Sequence, residues 1–308
     1  MVGIINLCKP SGMSSHDAVN CIRRLCGLRR VGHGGTLDPG ACGVLPIFVG
    51  WATRLLPYID TKKAYRTELT LGITTDTQDS GGTTLDVNDC TISPRQLADA
   101  CAAFIGPVMQ LPPMTSAIRI DGQRLYQLAR QGKEIDRPKR QIVIYSLHIR
   151  KIWPEDTLVL GTGTRVLLDI ECSAGTYIRT LCADIGQKLG CGAHMSFLVR
   201  TRAAGCQLAQ THTLEELTLA ANNGELSQLL LPPDSILQHL PQITIADQEN
   251  LHRLTTGQAF FAECITSDSF IRVYDVDGVF LALAQSTETA GWLRPVRVFP
   301  PAFGKEEA

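Results

Sequence analysis

Alternation of apolar and polar side chains along several segments most limits the folds that this chain can adopt. In residues 65–71 the odd positions are Tyr, Thr, Leu and Leu, whereas the even positions are Arg, Glu and Thr. A period of two predicts a strand with one buried face. Similar runs over residues 142–149, 166–172 and 196–208 predict further strands or a hairpin. The chain must therefore bury at least one face of a sheet.

Three stretches with helical spacing of apolar residues supply the covering elements. Ser14 and Ser15 suit the N-terminal cap of the first helix, and Gly27 suits its C-terminal stop. The second helix begins after Ser93-Pro94, and the third begins near Thr176. The apolar positions are Ala18, Val19, Ile22, Leu25 and Cys26, then Leu97, Ala100, Cys101, Phe104 and Ile105, then Ile178, Leu181, Cys182, Ile185 and Leu189.

A length of 308 residues favours two domains over one. The two consecutive prolines Pro232 and Pro233 and a polar turn interrupt the pattern within residues 229–245. Beyond them, residues 269–285 predict a hairpin turning at Asp277-Gly278. Residues 292–299 predict one more strand. We therefore expect a main domain over residues 1–237, a small β-rich domain over residues 238–303 and a disordered tail over residues 304–308.

Composition and cysteine spacing exclude several classes of protein. No apolar run reaches membrane-spanning length, and the N-terminus lacks the pattern of a secretory signal. The 11 cysteines contain no C-x-x-C pair, so neither a zinc site nor a disulfide framework is expected. These features predict a cytoplasmic protein with reduced thiols and no membrane partner.

The net charge of −1 hides a strong asymmetry. Residues 9–66 hold nine basic and three acidic residues, whereas residues 205–268 hold eight acidic residues and only Arg253 as a base. A polar segment over residues 112–140 is again basic. This pattern favours a polyanion bound on one face, although ordinary solvated surfaces are compatible with the same counts.

Residues 32–55, GHGGTLDPGACGVLPIFVGWATRL, surround a single acid, Asp38, with glycine and proline. The spacing fits neither a phosphate-binding loop nor a dinucleotide fingerprint, and only His33 lies nearby as a second metal ligand. A nucleophilic carboxylate fits better, because proline fixes the turn and glycine leaves room for a bulky substrate. An arginine would be its natural partner. Taken alone, the segment is also typical of a surface loop.

The same segment resembles the catalytic motif of the TruB-type tRNA pseudouridine synthases. Other segments resemble further motifs of this family in the same order: LCKPSGMSSHDAV, KKAYRTELTLGITTDTQDSGG, PPMTSAIRIDGQRLYQLARQGKEI and CSAGTYIRTLCADIGQKLGCGAHMSFLVRTRAAGC. The likeness extends over residues 1–237, and the C-terminal part resembles the PUA domain of the family. It implies an α+β fold, with a mixed, mainly antiparallel central sheet flanked by helices. An RNA-gripping insertion is expected at about residues 107–141.

The resemblance also implies roles for individual residues. Asp38 would be the nucleophile, Arg179 its ion-pair partner, and Tyr65 the ring that stacks on a flipped uracil near a proton transfer. His33 would fill the gap that the flipped base leaves. The remaining binding residues would line the uracil pocket (Tyr177 and Leu198), support its floor (Lys9) or follow the RNA backbone (Arg124, Arg130 and Lys133).

The implied activity is isomerisation of uridine 55 to pseudouridine in the T arm of tRNA. This reaction needs no cofactor and no metal, and we expect a monomer without an obligate protein partner. Whether Asp38 attacks C1′ of the sugar or the uracil ring stays open. Two alternatives are a non-catalytic chaperone that folds tRNA and a guide-directed synthase of a ribonucleoprotein. The second would be expected to carry longer flanking extensions than this chain does.

Overall fold

The computed structural model describes residues 1–116, 119–120, 123–125, 135–262 and 269–299, with the backbone alone at residues 119–120 and 123–124. The described strands, in chain order, are β1 (Gly3–Lys9), β2 (Val31–His33), β3 (Cys42–Val49), β4 (Lys63–Leu71), β5 (Ile73–Thr75), β6 (Thr84–Val87), β7 (Gly106–Gln110), β8 (Arg119–Ile120), β9 (Gln123–Arg124), β10 (Arg140–Trp153), β11 (Arg165–Cys172), β12 (Ala193–Ala203), β13 (Cys206–Gln207), β14 (Gln242–Thr244), β15 (Phe260–Phe261), β16 (Ile271–Tyr274), β17 (Phe280–Ser286) and β18 (Trp292–Val298). The described helices are α1 (Ser15–Cys26), α2 (Pro94–Ala102), α3 (Ile178–Leu189), α4 (Leu214–Asn222) and α5 (Gln248–Thr255), with 3₁₀ helices at Gly50–Tyr58, Leu208–Gln210, Leu226–Leu229 and Pro233–Leu237.

Within these ranges, a nine-stranded sheet runs in the order β1-β3-β12-β4-β11-β10-β7, with β2 paired to β3 and β13 to β12. Strands β3 and β12 pair in parallel, and the other neighbours in this sheet are antiparallel. The predicted mixed, mainly antiparallel sheet of an α+β fold is therefore confirmed. Its apolar cluster joins sheet residues such as Leu69 and Ile170 to helix residues such as Ile22 and Leu181.

The alternation that predicted β4 is confirmed in its burial. Tyr65, Thr67 and Leu69 are buried, whereas Arg66 points outward and pairs with Asp169 at 2.7 Å. Because β4 lies between β11 and β12, it is the middle strand of this order, and its buried face lies at the centre of the sheet. Residues on this face can therefore meet groups carried by several other elements.

The three predicted helices form, with two local differences. Ser14 alone caps α1, in a capping box with Asp17, and Gly27 ends the helix at φ 64°. The prediction that Ser15 also acts as a cap was wrong, because Ser15 is already inside the helix and its hydroxyl bonds the backbone of Leu37. The prediction that Ile105 packs with the second helix was also wrong. That helix ends at Ala102, and Ile105 is 50% exposed just before β7.

The basic segment leaves the central sheet after β7 and returns at β10. Residues 107–110 and 140–141, which we placed at the ends of the insertion, belong to these two strands. Within this segment, the spacing of Leu125, Leu128 and Ala129 predicts a short helix. Leu125 is helical and fully buried, whereas the other two positions lie outside the described residues.

The C-terminal part forms a second sheet of the described chain, in the order β14-β16-β17-β18-β15. The predicted hairpin is confirmed, since β16 and β17 are antiparallel and Gly278 N donates to Asp275 O. An apolar cluster that contains Phe48 and Leu55 of the main part also contains Leu283 and Phe299. The two sheets are thus joined by apolar packing. The predicted tail over residues 304–308 lies outside the described residues.

Across the described ranges, no helix has both the length and the apolar character needed to cross a membrane.

Candidate active site

Asp38 lies in the loop that connects β2 to β3, at the N-terminal end of an Asp-Pro turn. Ala41 N donates to Asp38 O at 3.1 Å, which closes the turn. The side chain of Asp38 is 39% exposed, so it is open to a substrate while its backbone is fixed.

Both neighbours of Asp38 are held by residues at the start of the chain. The buried Ser15 hydroxyl accepts from Leu37 N at 2.8 Å and donates to Leu37 O at 3.0 Å. On the other side, Pro39 O accepts from Gly12 N at 2.8 Å. The carboxylate therefore projects from a loop whose backbone is held by hydrogen bonds at the residues immediately before and after Asp38.

Lys9 lies fully buried beneath this turn. Its ammonium donates to Met13 O at 2.7 Å, to Pro10 O at 2.8 Å and, at 3.4 Å, to Pro39 O. Burial lowers the pKa of Lys9, because the charged form loses its hydration. Lys9 thus connects the opening segment of the chain to the Asp38 turn.

Arg200, on β12, fixes the other half of the same loop and was not predicted from the sequence. It is fully buried, and its Nε donates to Val44 O at 2.8 Å. Its Nη1 donates to Thr36 O and its Nη2 to Gly35 O, both at 3.0 Å. One rigid guanidinium fork therefore bonds three carbonyls of the segment that carries Asp38.

The first turn of α3 brings Arg179 to Asp38. Its Nε lies 2.9 Å from Asp38 Oδ2, although the N–H direction does not give an aligned hydrogen bond. Its Nη1 lies 3.3 Å from Asp79 Oδ2 and donates to Thr115 Oγ1 at 2.7 Å. Arg179 is 5% exposed, so the guanidinium that forms ion pairs with these two carboxylates is nearly shielded from water.

Asp79 was not singled out in the sequence, although it lies in the second motif of the resemblance. Its Oδ1 accepts from Thr77 Oγ1 at 2.7 Å and from Gly81 N at 3.0 Å. These bonds leave Oδ2 facing Arg179. The loop between β5 and β6 therefore orients the arginine from the side opposite Asp38.

Tyr65 reaches the site from the centre of β4 and is 7% exposed. Burial raises the pKa of its phenol to about 12, and a hydrogen bond with Arg200 opposes that shift. Leu198 lies on the adjacent strand opposite Thr67 and belongs to the same apolar cluster as Tyr65. The electrostatic interaction of the Tyr65 phenol with Asp38 places this ring near the carboxylate.

His33 and Tyr177 lie at the ends of elements that border the site. His33 ends β2, and its Nδ1 accepts from Gly35 N at 3.2 Å, while burial lowers its pKa. Tyr177 caps α3, and both of its backbone polar atoms bond the Gln110 side chain, at 2.8 and 3.0 Å. The side chains of Arg124, Arg130 and Lys133 lie outside the described residues.

These groups form a site suited to nucleophilic chemistry on a bulky substrate. A partly exposed carboxylate on a fixed turn faces a buried guanidinium, with a protonated phenol behind it. Positioned carboxylates of this kind form covalent intermediates at sugar carbons. In the part of the chain that the structure describes, no group of three His, Cys, Asp or Glu residues is arranged to hold a metal ion.

The close approach of β3 to β12 gives a stability prediction. Gly43 has φ 101°, and a methyl group there would overlap the backbone carbonyl of Arg200. We expect Gly43→Ala to lower the free energy of unfolding by about 2–4 kcal/mol, through backbone strain and overpacking. Gly40→Ala is the control, since no atom lies within 4 Å of a methyl group there and a change of at most about 0.5 kcal/mol is expected. Urea unfolding of both variants measures the two free energies of unfolding. Equal stabilities would contradict the close approach of β3 to β12.

Two protein-family models match this chain. Residues 23–178 match the model of the TruB family pseudouridylate synthase (N-terminal domain). Residues 179–238 match the model of the tRNA pseudouridylate synthase B C-terminal domain. The second match begins at Arg179 and includes α3, β12 and α4, so it covers part of the central sheet and not the second sheet.

Two relatives named tRNA pseudouridine synthase B are similar over almost their whole length. The one from Moorella thermoacetica is 43% identical, covering 97% of this chain and 99% of the relative. The one from Dehalococcoides mccartyi is 39% identical and covers 100% of both. Among solved structures, a chain of an H/ACA RNP bound to a substrate RNA containing 2′-deoxyuridine shares the fold, with a TM-score of 0.73, 24% identity and coverage of 97% of this chain and 85% of that chain. A chain of a Cbf5-Nop10-Gar1 complex gives a TM-score of 0.69 at 27% identity, covering 94% and 79%.

The two family models together match residues 23–178 and 179–238 without a gap, and the Asp38 loop, Tyr65 and Arg179 all lie inside them. The chain therefore belongs to the TruB family of pseudouridylate synthases.

Proposed function

We propose that this protein isomerises uridine 55 to pseudouridine in the T arm of tRNA, with Asp38 as the nucleophile. The observation that carries the proposal is the contact of Asp38 with the buried Arg179, on a turn that Ser15, Lys9 and Arg200 hold in place. The family membership and the names of the relatives supply the substrate class.

The reaction breaks the C–N glycosidic bond, turns the base and forms a C–C bond to the same sugar. All atoms of the substrate are kept, and no electrons are gained or lost. Asp38 bonds either to C1′ of the sugar, and is displaced when the new C–C bond forms, or to the uracil ring, and is eliminated after that bond has formed. On either route the ring carbon that bonds C1′ loses a proton and the freed ring nitrogen gains one. The chemistry therefore needs a nucleophile and a proton transfer but no cofactor.

The target uridine is stacked in the T arm and must be extruded before Asp38 can reach it. Tyr65 would support the extruded ring, and Leu198 and Tyr177 would line its pocket above Lys9. His33, which ends β2 at the start of the loop that carries Asp38, would occupy the space that the extruded base leaves in the RNA. Stacking on an aromatic ring contributes roughly 1–3 kcal/mol per base.

The rest of the chain would contribute to substrate binding through the charge of its basic segment and, by family resemblance, through its second domain. The basic segment over residues 112–140 would contact phosphates of the RNA, and residues 238–303 would act as a PUA-like RNA-binding domain. The protein would work as a monomer in the cytoplasm without an obligate protein partner.

Replacing basic residues of this segment by neutral ones tests whether the segment contacts phosphates of the RNA. We expect the triple variant Arg124→Gln, Arg130→Gln, Lys133→Gln to bind tRNA more weakly and to show a flatter dependence of log affinity on log salt, because fewer phosphates are neutralised. Titrations at several salt concentrations measure both effects. An unchanged slope would mean that this segment does not contact the RNA backbone.

A T-arm stem-loop with no other RNA present tests the proposed activity. The wild-type protein should convert its target uridine, whereas the same stem-loop with cytidine at that position should gain no pseudouridine. Absence of conversion would overturn the proposed function. A requirement for a second, guiding RNA would instead indicate the guide-directed alternative, and faster tRNA folding without conversion would indicate the chaperone.

A further inference from the structure

A positive region lies behind the Asp38 loop and has no anionic partner in the described part of the chain. Its first member is the buried Arg200, whose guanidinium nitrogens bond three carbonyls and the Tyr65 hydroxyl. Carbonyls satisfy its N–H groups but supply no net negative charge. The positive charge of Arg200 is thus left in a low-dielectric environment.

Lys63 is the second member. It lies two residues before Tyr65 on the same face of β4, so the two α-carbons are about 6.7 Å apart along the strand. A β-carbon built at Gly35 would lie 3.0 Å from Lys63 Nζ and 3.8 Å from Arg200 Nη1. Both cations therefore flank the same glycine of the loop that carries Asp38.

No group that faces Lys63 compensates its charge at neutral pH. Arg200 repels it, and burial together with that repulsion lowers the pKa of Lys63 to about 8. Cys172 lies opposite on β11, but burial raises the pKa of its thiol to about 11, so it stays neutral. Burial lowers the pKa of His33, so this ring is neutral as well. Among the described residues, no carboxylate pairs with the Lys63 ammonium.

We propose that Lys63 binds the phosphodiester group next to the extruded uridine, and that the substrate thereby supplies the anion that the protein lacks at this place. The inference rests on the proposed function, which places the target base on Tyr65. A nucleotide with its base on that ring carries a phosphate on either side of its sugar. Lys63 is the described cation nearest to Tyr65 along the same strand face, and it is half-buried rather than fully enclosed.

This contact differs from the general attraction between tRNA and the basic surface. A phosphate bound by a half-buried lysine is screened less by salt than one at an exposed lysine. Lys62 offers the matched comparison, because it is adjacent in sequence and exposed, with its amine 5.0 Å from the ring of Tyr145.

The test combines Lys63→Met with T-arm stem-loops in which single phosphates around the target uridine are replaced by neutral methylphosphonates. For unmodified RNA we expect Lys63→Met to lose about tenfold or more in affinity and to reduce the salt slope by about 0.7–0.9. One methylphosphonate should lower wild-type affinity similarly but have no further effect on Lys63→Met. Lys62→Met should retain the full effect of that same methylphosphonate.

A second readout uses the wild-type protein alone and does not depend on folding of a variant. Because the bound phosphate needs the protonated ammonium, affinity for unmodified RNA should fall as the pH rises through about 8. RNA in which a methylphosphonate replaces the phosphate that Lys63 binds should not show this fall in affinity. Three other groups face Lys63, and none of them changes its charge as the pH rises through about 8. The Arg200 guanidinium stays protonated, the pKa of Cys172 is raised to about 11, and the pKa of His33 is lowered.

Equal losses from every methylphosphonate in the wild type and in Lys63→Met would overturn the inference. So would a pH dependence that is the same with and without each phosphate. If the wild type converts the stem-loop but shows no such coupling, only this inference fails. If it neither binds nor converts the stem-loop, the proposed function fails and the inference fails with it.

Discussion

Asp38→Asn is expected to abolish the conversion of uridine while leaving tRNA binding within a few-fold of the wild type. Asparagine keeps the size of the side chain and an oxygen that can face Arg179, but it lacks the charge needed for nucleophilic attack. The carboxylate is 39% exposed and contributes little of the contact surface, so affinity should persist. Single-turnover conversion of a T-arm stem-loop and a binding titration with the same RNA measure the two effects.

Asp60→Asn is a suitable control, because Asp60 accepts a hydrogen bond from Lys62 N that an asparagine oxygen can also accept. This variant should convert the substrate at the wild-type rate. Measurable turnover by Asp38→Asn, in a preparation free of wild-type enzyme, would contradict the assignment of Asp38 as the nucleophile.

Tyr65→Phe is expected to bind tRNA almost normally but to lose at least about a hundredfold in single-turnover rate. Phenylalanine keeps the ring, which supplies nearly all of the stacking. It lacks the hydroxyl, which bonds Arg200, interacts electrostatically with Asp38 and is therefore placed to take part in a proton transfer. Positioned acid–base groups typically contribute about 10²–10⁴ in rate.

The environment of Tyr65 shapes how the hydroxyl can act. Burial raises the pKa of Tyr65 to about 12, so the phenol is protonated at neutral pH in the free protein. The hydrogen bond from Arg200 favours the phenolate and opposes this shift. The hydroxyl can therefore relay a proton: it accepts one that the substrate loses and donates its own to the ring nitrogen that breakage of the C–N bond frees. The guanidinium stabilises the negative charge that develops on the phenol oxygen during this transfer.

Tyr65→Leu separates the two roles of the residue. It removes both ring and hydroxyl, so rate and binding should fall together, whereas Tyr65→Phe should affect rate alone. Conversion by Tyr65→Phe within a few-fold of the wild type would show that the ring is only a platform and that the proton is transferred elsewhere.

Local features of the fold could be predicted from the sequence because neighbouring residues determine them. The capping box of Ser14 and Asp17, the helix stop at Gly27 and the hairpin turn at Gly278 each depend on a few adjacent positions. Ile105 shows the limit of this reasoning. Its spacing fits a helical face, but the chain turns at Gly106, with φ 100°, to enter the edge strand of the sheet.

The partners within the site could not be found by local reasoning. Arg179 was assigned to Asp38 by family resemblance, and their contact joins residues 141 positions apart that only the tertiary fold brings together. Arg200 and Asp79 were missed, because charged residues in strands and loops are mostly exposed. One signal was available for Arg200, which shares the inward-facing alternation of Leu198 and is fully buried like its apolar neighbours.

The most direct test of the account is to map pseudouridine in a full-length unmodified tRNA after incubation with the wild-type protein or with Asp38→Asn, without any guide RNA. We predict pseudouridine at position 55 alone with the wild type and none with Asp38→Asn. Pseudouridine at a different position, none with the wild type, or equal conversion by both proteins would contradict it.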